Sequence, residues 1–401
     1  MKLLSFFLVV LAALVARAED SPRLFGVLQG TLDRAKRGAA AGWKVAVIPI
    51  AWDVFEPEDG KFDLAVARKV NEEAKAYRAL GYRLQLDLGF QYPPSWIFRL
   101  PDSRFRNQFG VEHESKDPGR NVANAVFNQA VRDRMERYME TVFRETGTDW
   151  DWVRLGGGFY GEVNYPLHRF GGKTNCYWAF DDLAQGKKEG RSTGLTACPV
   201  PGWKPGDADP AKARAFLDWY LGALQNYHDW QIQTVRRWYD GEICLLYGSW
   251  GIRPGWLDTA VATSLDGSSA VESAGEIATG YDWERLIGGI RDPKVIVYCT
   301  WLDAPRGNCD EESPDAARWS PVHWQASLAE KNPLHLKVWG ENTGHGNSEA
   351  LDLTFERIRR FGLMGVLWAF ESDLFADPAL RRATFAEYAA KIASFKLESS
   401  P

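Results

Sequence analysis

Eight short apolar runs recur along the chain, at residues 23–30, 45–52, 82–89, 152–157, 243–249, 294–301, 335–340 and 365–370. They are near-continuous rather than alternating, as in Val45-Ala46-Val47-Ile48-Pro49-Ile50-Ala51-Trp52, the pattern of parallel strands covered on both faces. Helical stretches lie between them. Residues 64–80 are rich in Ala, Lys and Glu, and residues 122–145, 211–239, 350–361 and 378–395 carry the 3.6-residue apolar period. Eight strand–helix units in 401 residues predict an α/β fold, a (β/α)8 TIM barrel forming a single domain over residues 19–401. An open doubly wound sheet is the alternative, but no G-x-G-x-x-G follows the first strand. Gly156-Gly157-Gly158 lacks the Lys-Ser/Thr of a phosphate loop and reads as room for a close substrate approach. The longest irregular stretch, residues 167–210, follows strand 4 and is expected to overhang the active-site face.

The amino terminus is not part of this pattern. Lys2 precedes an apolar run, residues 3–15, and then Ala16-Arg17-Ala18. A short cationic start, an apolar segment too short to span a bilayer and an A-x-A site predict a signal peptide over residues 1–18 and a secreted or periplasmic protein. Export puts the five Cys in an oxidising compartment. Cys176–Cys198 is the first expected disulfide and Cys299–Cys309 the second candidate, with Cys244 a buried thiol. Neither the Cys nor the six His have metal-site spacing, so no metal and no cofactor is expected. A net charge of −5 argues against nucleic acid as a partner. No later stretch is apolar enough for a membrane helix. Oligomeric state is not legible.

Eighteen Trp are far more than an average chain carries. They suit either a Trp-rich core or flat platforms for sugar rings. Catalytic groups of a barrel come from the carboxyl ends of its strands, which shortens the search. Strand 4 runs into Gly161-Glu162-Val163-Asn164-Tyr165-Pro166, and strand 7 into Trp339-Gly340-Glu341-Asn342. Two Glu on opposed strand ends provide the acid and the carboxylate that cleavage of a glycosidic bond needs. Asp303, after strand 6, competes with Glu341 as partner to Glu162. Substrate-binding candidates on the same rim are Trp52, Glu56, Asp87, Gln91, Tyr92, Asn164, Tyr165, Trp250, Trp301, Asp303, Trp339, Asn342 and Trp368, whereas Glu371, beside Ser372-Asp373, reads as structural.

Trp52…Glu56-Pro57-Glu58-Asp59-Gly60-Lys61-Phe62-Asp63 is similar to the W-x-x-x-E-P-x-x-G-x-F-D signature of family 42 β-galactosidases and their clan A relatives. That resemblance implies retention of configuration, with Glu162 as acid/base and Glu341 as nucleophile. Gly161 stands where clan A usually has Asn. Gly161-Glu162-Val163-Asn164-Tyr165-Pro166 and Gly340-Glu341-Asn342 resemble family 14 β-amylases, which implies inversion, with Glu162 as acid and Asp303 as the available base. Either resemblance implies a glycoside hydrolase acting on a poly- or oligosaccharide. A carbohydrate-binding barrel without turnover is the second reading. A non-glycosidic hydrolase ranks below, for want of a G-x-S-x-G elbow or a Cys/His pair.

Overall fold

The computed structural model describes residues 23–116, 121–188 and 193–398, so the segment predicted as a signal peptide lies outside the described residues. Each of the eight predicted runs coincides with a strand: β1 (Leu24–Val27), β2 (Val45–Pro49), β3 (Arg83–Asp87), β4 (Trp152–Leu155), β5 (Glu242–Tyr247, starting one residue before its run), β6 (Val295–Cys299), β7 (Val338–Gly340) and β8 (Gly365–Trp368). They are parallel and paired in the order β7-β6-β5-β4-β3-β2-β1-β8. The ends of that order meet: Met364 N–H donates to Val338 O at 2.9 Å, and a parallel bridge joins Glu341 to Leu367. The sheet is therefore a nearly closed (β/α)8 barrel.

Helices α1 (Leu32–Ala40), α2 (Leu64–Ala79), α3 (Gln129–Thr146), α4 (Pro210–Val235), α5 (Trp283–Gly289), α6 (Pro321–Lys331), α7 (Ser348–Arg360) and α8 (Phe385–Glu398) lie between and after the strands. Their starts are set by local chemistry. Asp63, Asn128, Asp209, Ser320 and Asn347 each accept a first-turn N–H at the N-cap. The Asn128 cap explains why α3 begins seven residues later than its apolar period suggests: the Arg132 guanidinium ties down the Ala125 and Val126 carbonyls, holding the preceding segment as a loop. The apolar period also overruns at residues 378–395, where a turn capped by Asp377 precedes α8.

Side chains alternate along each strand, so one set fills the barrel and the other packs under the helices. Leu24, Val45, Trp152, Cys244, Ile296, Trp339 and Leu367 form the apolar interior. Two residues further along, the same interior face carries Arg154 on β4 and Glu341 past β7. This alternation corrects two expectations: Trp339 packs edge-on to Trp152 (4.9 Å) inside the barrel, and Trp368 points outward to Tyr388 of α8 (6.0 Å). Both are fully buried and offer no ring to a substrate. Most of the eighteen tryptophans are likewise core residues.

The strand 2 motif is structural as well. Trp52 is buried, and its indole N–H donates to Glu56 Oε2 at 2.8 Å. Glu56, also buried, accepts from Gly60 N–H (2.9 Å) and is gripped by Arg137, which also binds Asp59. Neither residue can touch a ligand. Glu56→Ala leaves the Trp52 and Gly60 N–H donors unpaired while Arg137 keeps Asp59; we expect a loss of about 2–4 kcal/mol in stability, read from denaturant midpoints.

Among the described residues, which include all five Cys, no disulfide is formed and each Cys is a thiol. Cys176 and Cys198 sit in separate surroundings, the first beside Phe170 and Asn107, the second beside Gln185 and Val200. Cys309 accepts from Arg357 instead of meeting Cys299. The long segment after β4 packs against α4 and neighbouring loops: Gln108 donates to Asn175 O (2.6 Å), Asn175 to Leu265 O (2.9 Å) and Trp219 to Thr196 O (2.8 Å).

Candidate active site

Glu162 follows β4 through a tight turn. Gly157 N–H donates to Gly161 O (3.2 Å) and Gly158 N–H to Glu162 O (2.7 Å). A Cβ on Gly156 or Gly158 would strike the Gly161 carbonyl or Asn164, so this glycine run serves the turn itself rather than a substrate. Asn164 clamps the turn: its Oδ1 accepts from Phe159 N–H (2.7 Å), and its amide nitrogen lies 3.1 Å from Phe159 O and 3.0 Å from Glu162 Oε2. Asn164 is thus committed to positioning Glu162. Tyr165, stacked on Tyr220 at 4.1 Å with its hydroxyl on Tyr220 O, is a core residue. Both depart from the expected substrate-binding role.

The Glu162 carboxyl, 8% exposed, accepts from Thr300 Oγ1 (2.7 Å), Tyr281 OH (2.9 Å) and Asn164. All three donors are uncharged. Gly248, past β5, leaves room for that carboxyl, because a Cβ there would overlap it. Burial pushes the Glu162 pKa up to about 7; the Thr300 and Tyr281 hydroxyls act against this, and the charges of Glu341 and Glu276 add to it.

Glu341, 9% exposed, has the opposite surroundings. Arg154 donates through both terminal nitrogens, at 2.8 Å to Oε2 and 3.3 Å to Oε1, a two-point charge-assisted pair. Burial works against the Arg154 charge, but the carboxylates of Glu341 and Asp87 outweigh it and raise its pKa. Arg154 also lies 3.8 Å from Asp87 and over the Tyr298 ring. Asp87 accepts from Gly89 N–H (3.0 Å) and from half-buried Gln91 (3.3 Å), next to exposed Tyr92.

The remaining candidates divide. Trp250 and Trp301, past β5 and β6, are half-buried and pair at 5.3 Å. Asn342 is buried and bonds both Ala369 O (3.0 Å) and Ala369 N–H (2.6 Å), so it splices β7 to β8 instead of meeting a substrate. Asp303 accepts from Thr343 N–H (2.9 Å) and Oγ1 (3.3 Å), tying the loop after β6 to the loop after β7. Glu371 binds Thr31 and Arg34, as a structural residue. Among the described residues, no three His, Cys, Asp or Glu side chains could hold a metal ion.

Sequence reasoning missed Arg154, Thr300, Tyr281 and Tyr160. A lone Arg in Trp152-Val153-Arg154-Leu155, on the alternation that points Trp152 inward, was a usable signal. Tyr160, at the turn tip before Glu162, is 66% exposed at a positive φ of 59°. Tyr281 lies far from any strand end, and nothing local marks it.

No protein-family profile matches the sequence, and no curated protein is similar to it. Solved structures do share its fold. The catalytic domain of β-amylase from Paenibacillus polymyxa superposes with a TM-score of 0.66 at 15% identity, covering 94% of this chain and 98% of that one. β-Galactosidases from Halorubrum lacusprofundi (TM-score 0.54, 15% identity) and Marinomonas (0.56, 12%) match 93% and 94% of this chain. The matched region covers 58% and 59% of those two proteins. The architecture is thus a (β/α)8 barrel similar to those of known glycoside hydrolases.

Proposed function

We propose that the protein is a glycoside hydrolase that cleaves O-glycosidic bonds of an oligo- or polysaccharide with retention. One observation carries this reading: two buried carboxyls past β4 and β7 have opposed environments. Glu162 is held by neutral donors and pushed up to about 7, while both oxygens of Glu341 are forked by a guanidinium. Divergent surroundings of this kind support a proton donor at Glu162 and its carboxylate partner at Glu341, and the clan A resemblance of Trp52…Glu56-Pro57 through Phe62-Asp63 favours Glu341 as nucleophile. Glu162 gives its proton to the glycosidic oxygen as Glu341 attacks the anomeric carbon, and the alcohol leaves. Glu162, now a carboxylate, takes a proton from water, whose oxygen displaces Glu341 from the glycosyl ester. Trp250, Trp301 and Tyr92 supply flat faces for sugar rings, and Asp87 with Gln91 supplies groups for hydroxyls. The neighbours named β-amylase and β-galactosidase support the class without choosing the sugar. Ala16-Arg17-Ala18 after the apolar run supports export to a secreted or periplasmic location.

Activity on a panel of aryl glycosides and oligosaccharides tests the class; sugar binding without product release from any of them would leave a binding barrel. A 2-deoxy-2-fluoro glycoside should then esterify Glu341, seen by peptide mass spectrometry, and proton NMR should show the first product with retained configuration. An inverted product would reinstate a water-activating base and the Asp303 alternative. Because both Asp303 oxygens already serve Thr343, Asp303→Asn is expected to keep kcat within about tenfold. A loss in the range of about 10²–10⁴-fold is the mark of a missing acid or base.

A further inference from the structure

Glu276 takes no part in glycosidic cleavage by Glu162 and Glu341, yet it is one of the most elaborately held carboxyls in the protein. It lies in the single helical turn Glu276–Thr279, is 4% exposed, and points at the loop after β5. Ser249 Oγ donates to its Oε1 (2.5 Å), and the N–H groups of Trp250 (3.2 Å) and Gly251 (2.6 Å) donate to its Oε2. Ser249 and Gly251 both have positive φ, 65° and 78°, so consecutive N–H groups converge on the carboxylate as in an anion-binding nest. That loop has two ends of consequence. Gly248 lies against the Glu162 carboxyl, and Trp250 pairs with Trp301. The Glu276 carbonyl also accepts from Tyr281 N–H (3.0 Å), and the Tyr281 hydroxyl donates to Glu162.

Resting on the glycosidase reading, we propose that Glu276 is a positioning residue: seated in the nest of residues 249–251, it fixes Trp250 as a sugar platform and supplies negative charge beside Glu162. Arg253, Tyr281 and Glu162 are the titratable groups that face it, and His168 lies against the adjacent Gly275; Glu162 itself is faced by Glu341, Glu276 and Tyr281. Burial pushes the Glu276 carboxyl itself up to about 7 against the Ser249, Gly251 and Trp250 donors, so its charge is complete only above that range, where it adds to the burial that raises Glu162.

The test compares Glu276→Gln with Trp250→Ala. Removing the charge should move the alkaline limb of the kcat/KM profile lower by a measurable fraction of a pH unit, since a like charge no longer disfavours ionisation of Glu162. It should also raise KM by loosening Trp250. Trp250→Ala should raise KM and leave the limb in place. The same shift should appear without substrate, in a carboxyl 13C titration of Glu-labelled protein in which the Glu162 signal is assigned by its absence from Glu162→Gln. An unmoved Glu162 titration in folded Glu276→Gln overturns the proposal. If that titration moves but no glycoside is hydrolysed by the native protein, the glycosidase reading fails and the Glu276 coupling stands.

Discussion

Glu162→Gln should cut turnover and, at neutral to alkaline pH, stabilise the protein at once. The amide has no acidic proton to give the leaving oxygen, so kcat on unactivated glycosides should fall by about 10²–10⁴-fold. Dinitrophenyl glycosides, whose leaving group needs little protonation, should lose far less in the glycosylation step, and added azide should restore part of the second step. The stability gain comes from linkage. The native Glu162 pKa is about 7, above the unfolded value of 4.5. Below pH 4.5 both states hold the proton and the residue is neutral in each. Between pH 4.5 and 7 the unfolded chain ionises while the native state keeps its proton, so stability falls as pH rises, and above pH 7 the cost is fully present. Replacing the residue removes that cost. The stability of Glu162→Gln relative to the native protein should therefore rise by on the order of 2–3 kcal/mol between pH 4 and pH 8, on top of a pH-independent cost of an amide facing hydroxyl donors. Urea midpoints at both pH values check this. A gain that is independent of pH would show that Glu162 does not bury a charge.

Arg154→Met should have the largest destabilising effect of any single change at the site. It leaves Glu341 9% exposed and without its guanidinium partner, and breaking one side of a buried pair costs about 3–5 kcal/mol. Activity should fall with it, because Glu341 loses the fork that orients both oxygens. Arg154→Lys should not rescue the site, since a single ammonium cannot make the two-point contact. The double variant Arg154→Met, Glu341→Gln should recover much of the lost stability, as removing both charges restores electrical balance. Thermal melts of the four proteins form the cycle. Additive losses would mean that the pair is not coupled and that Glu341 is oriented by something else.

The positions of Glu162 and Glu341 were legible because strand ends are written in local pattern. An apolar run that stops at Leu155 or Gly340 puts the next few residues on the barrel rim. The same logic failed for Trp339 and Trp368. A ring one residue before a rim turn looks equivalent to one after it, yet alternation sends Trp339 into the barrel and Trp368 under α8. Asn164 and Asn342 carried polar groups suited to sugars, but each is consumed by its own backbone surroundings. Cys176 and Cys198 shared one loop in sequence without sharing a pocket.

By itself the sequence determined the number and order of strands, the barrel they form and the two Glu at its mouth. Each of these rests on burial patterns and strand ends that span only a few residues. Only the tertiary structure decided which partners each carboxyl has. Thr300 lies 138 residues from Glu162 and Tyr281 lies 119, while Arg154 lies 187 from Glu341. Closing the barrel brings these groups together, and it is their desolvation and hydrogen bonding, invisible along the chain, that raise the pKa of one Glu and leave the other gripped by a guanidinium.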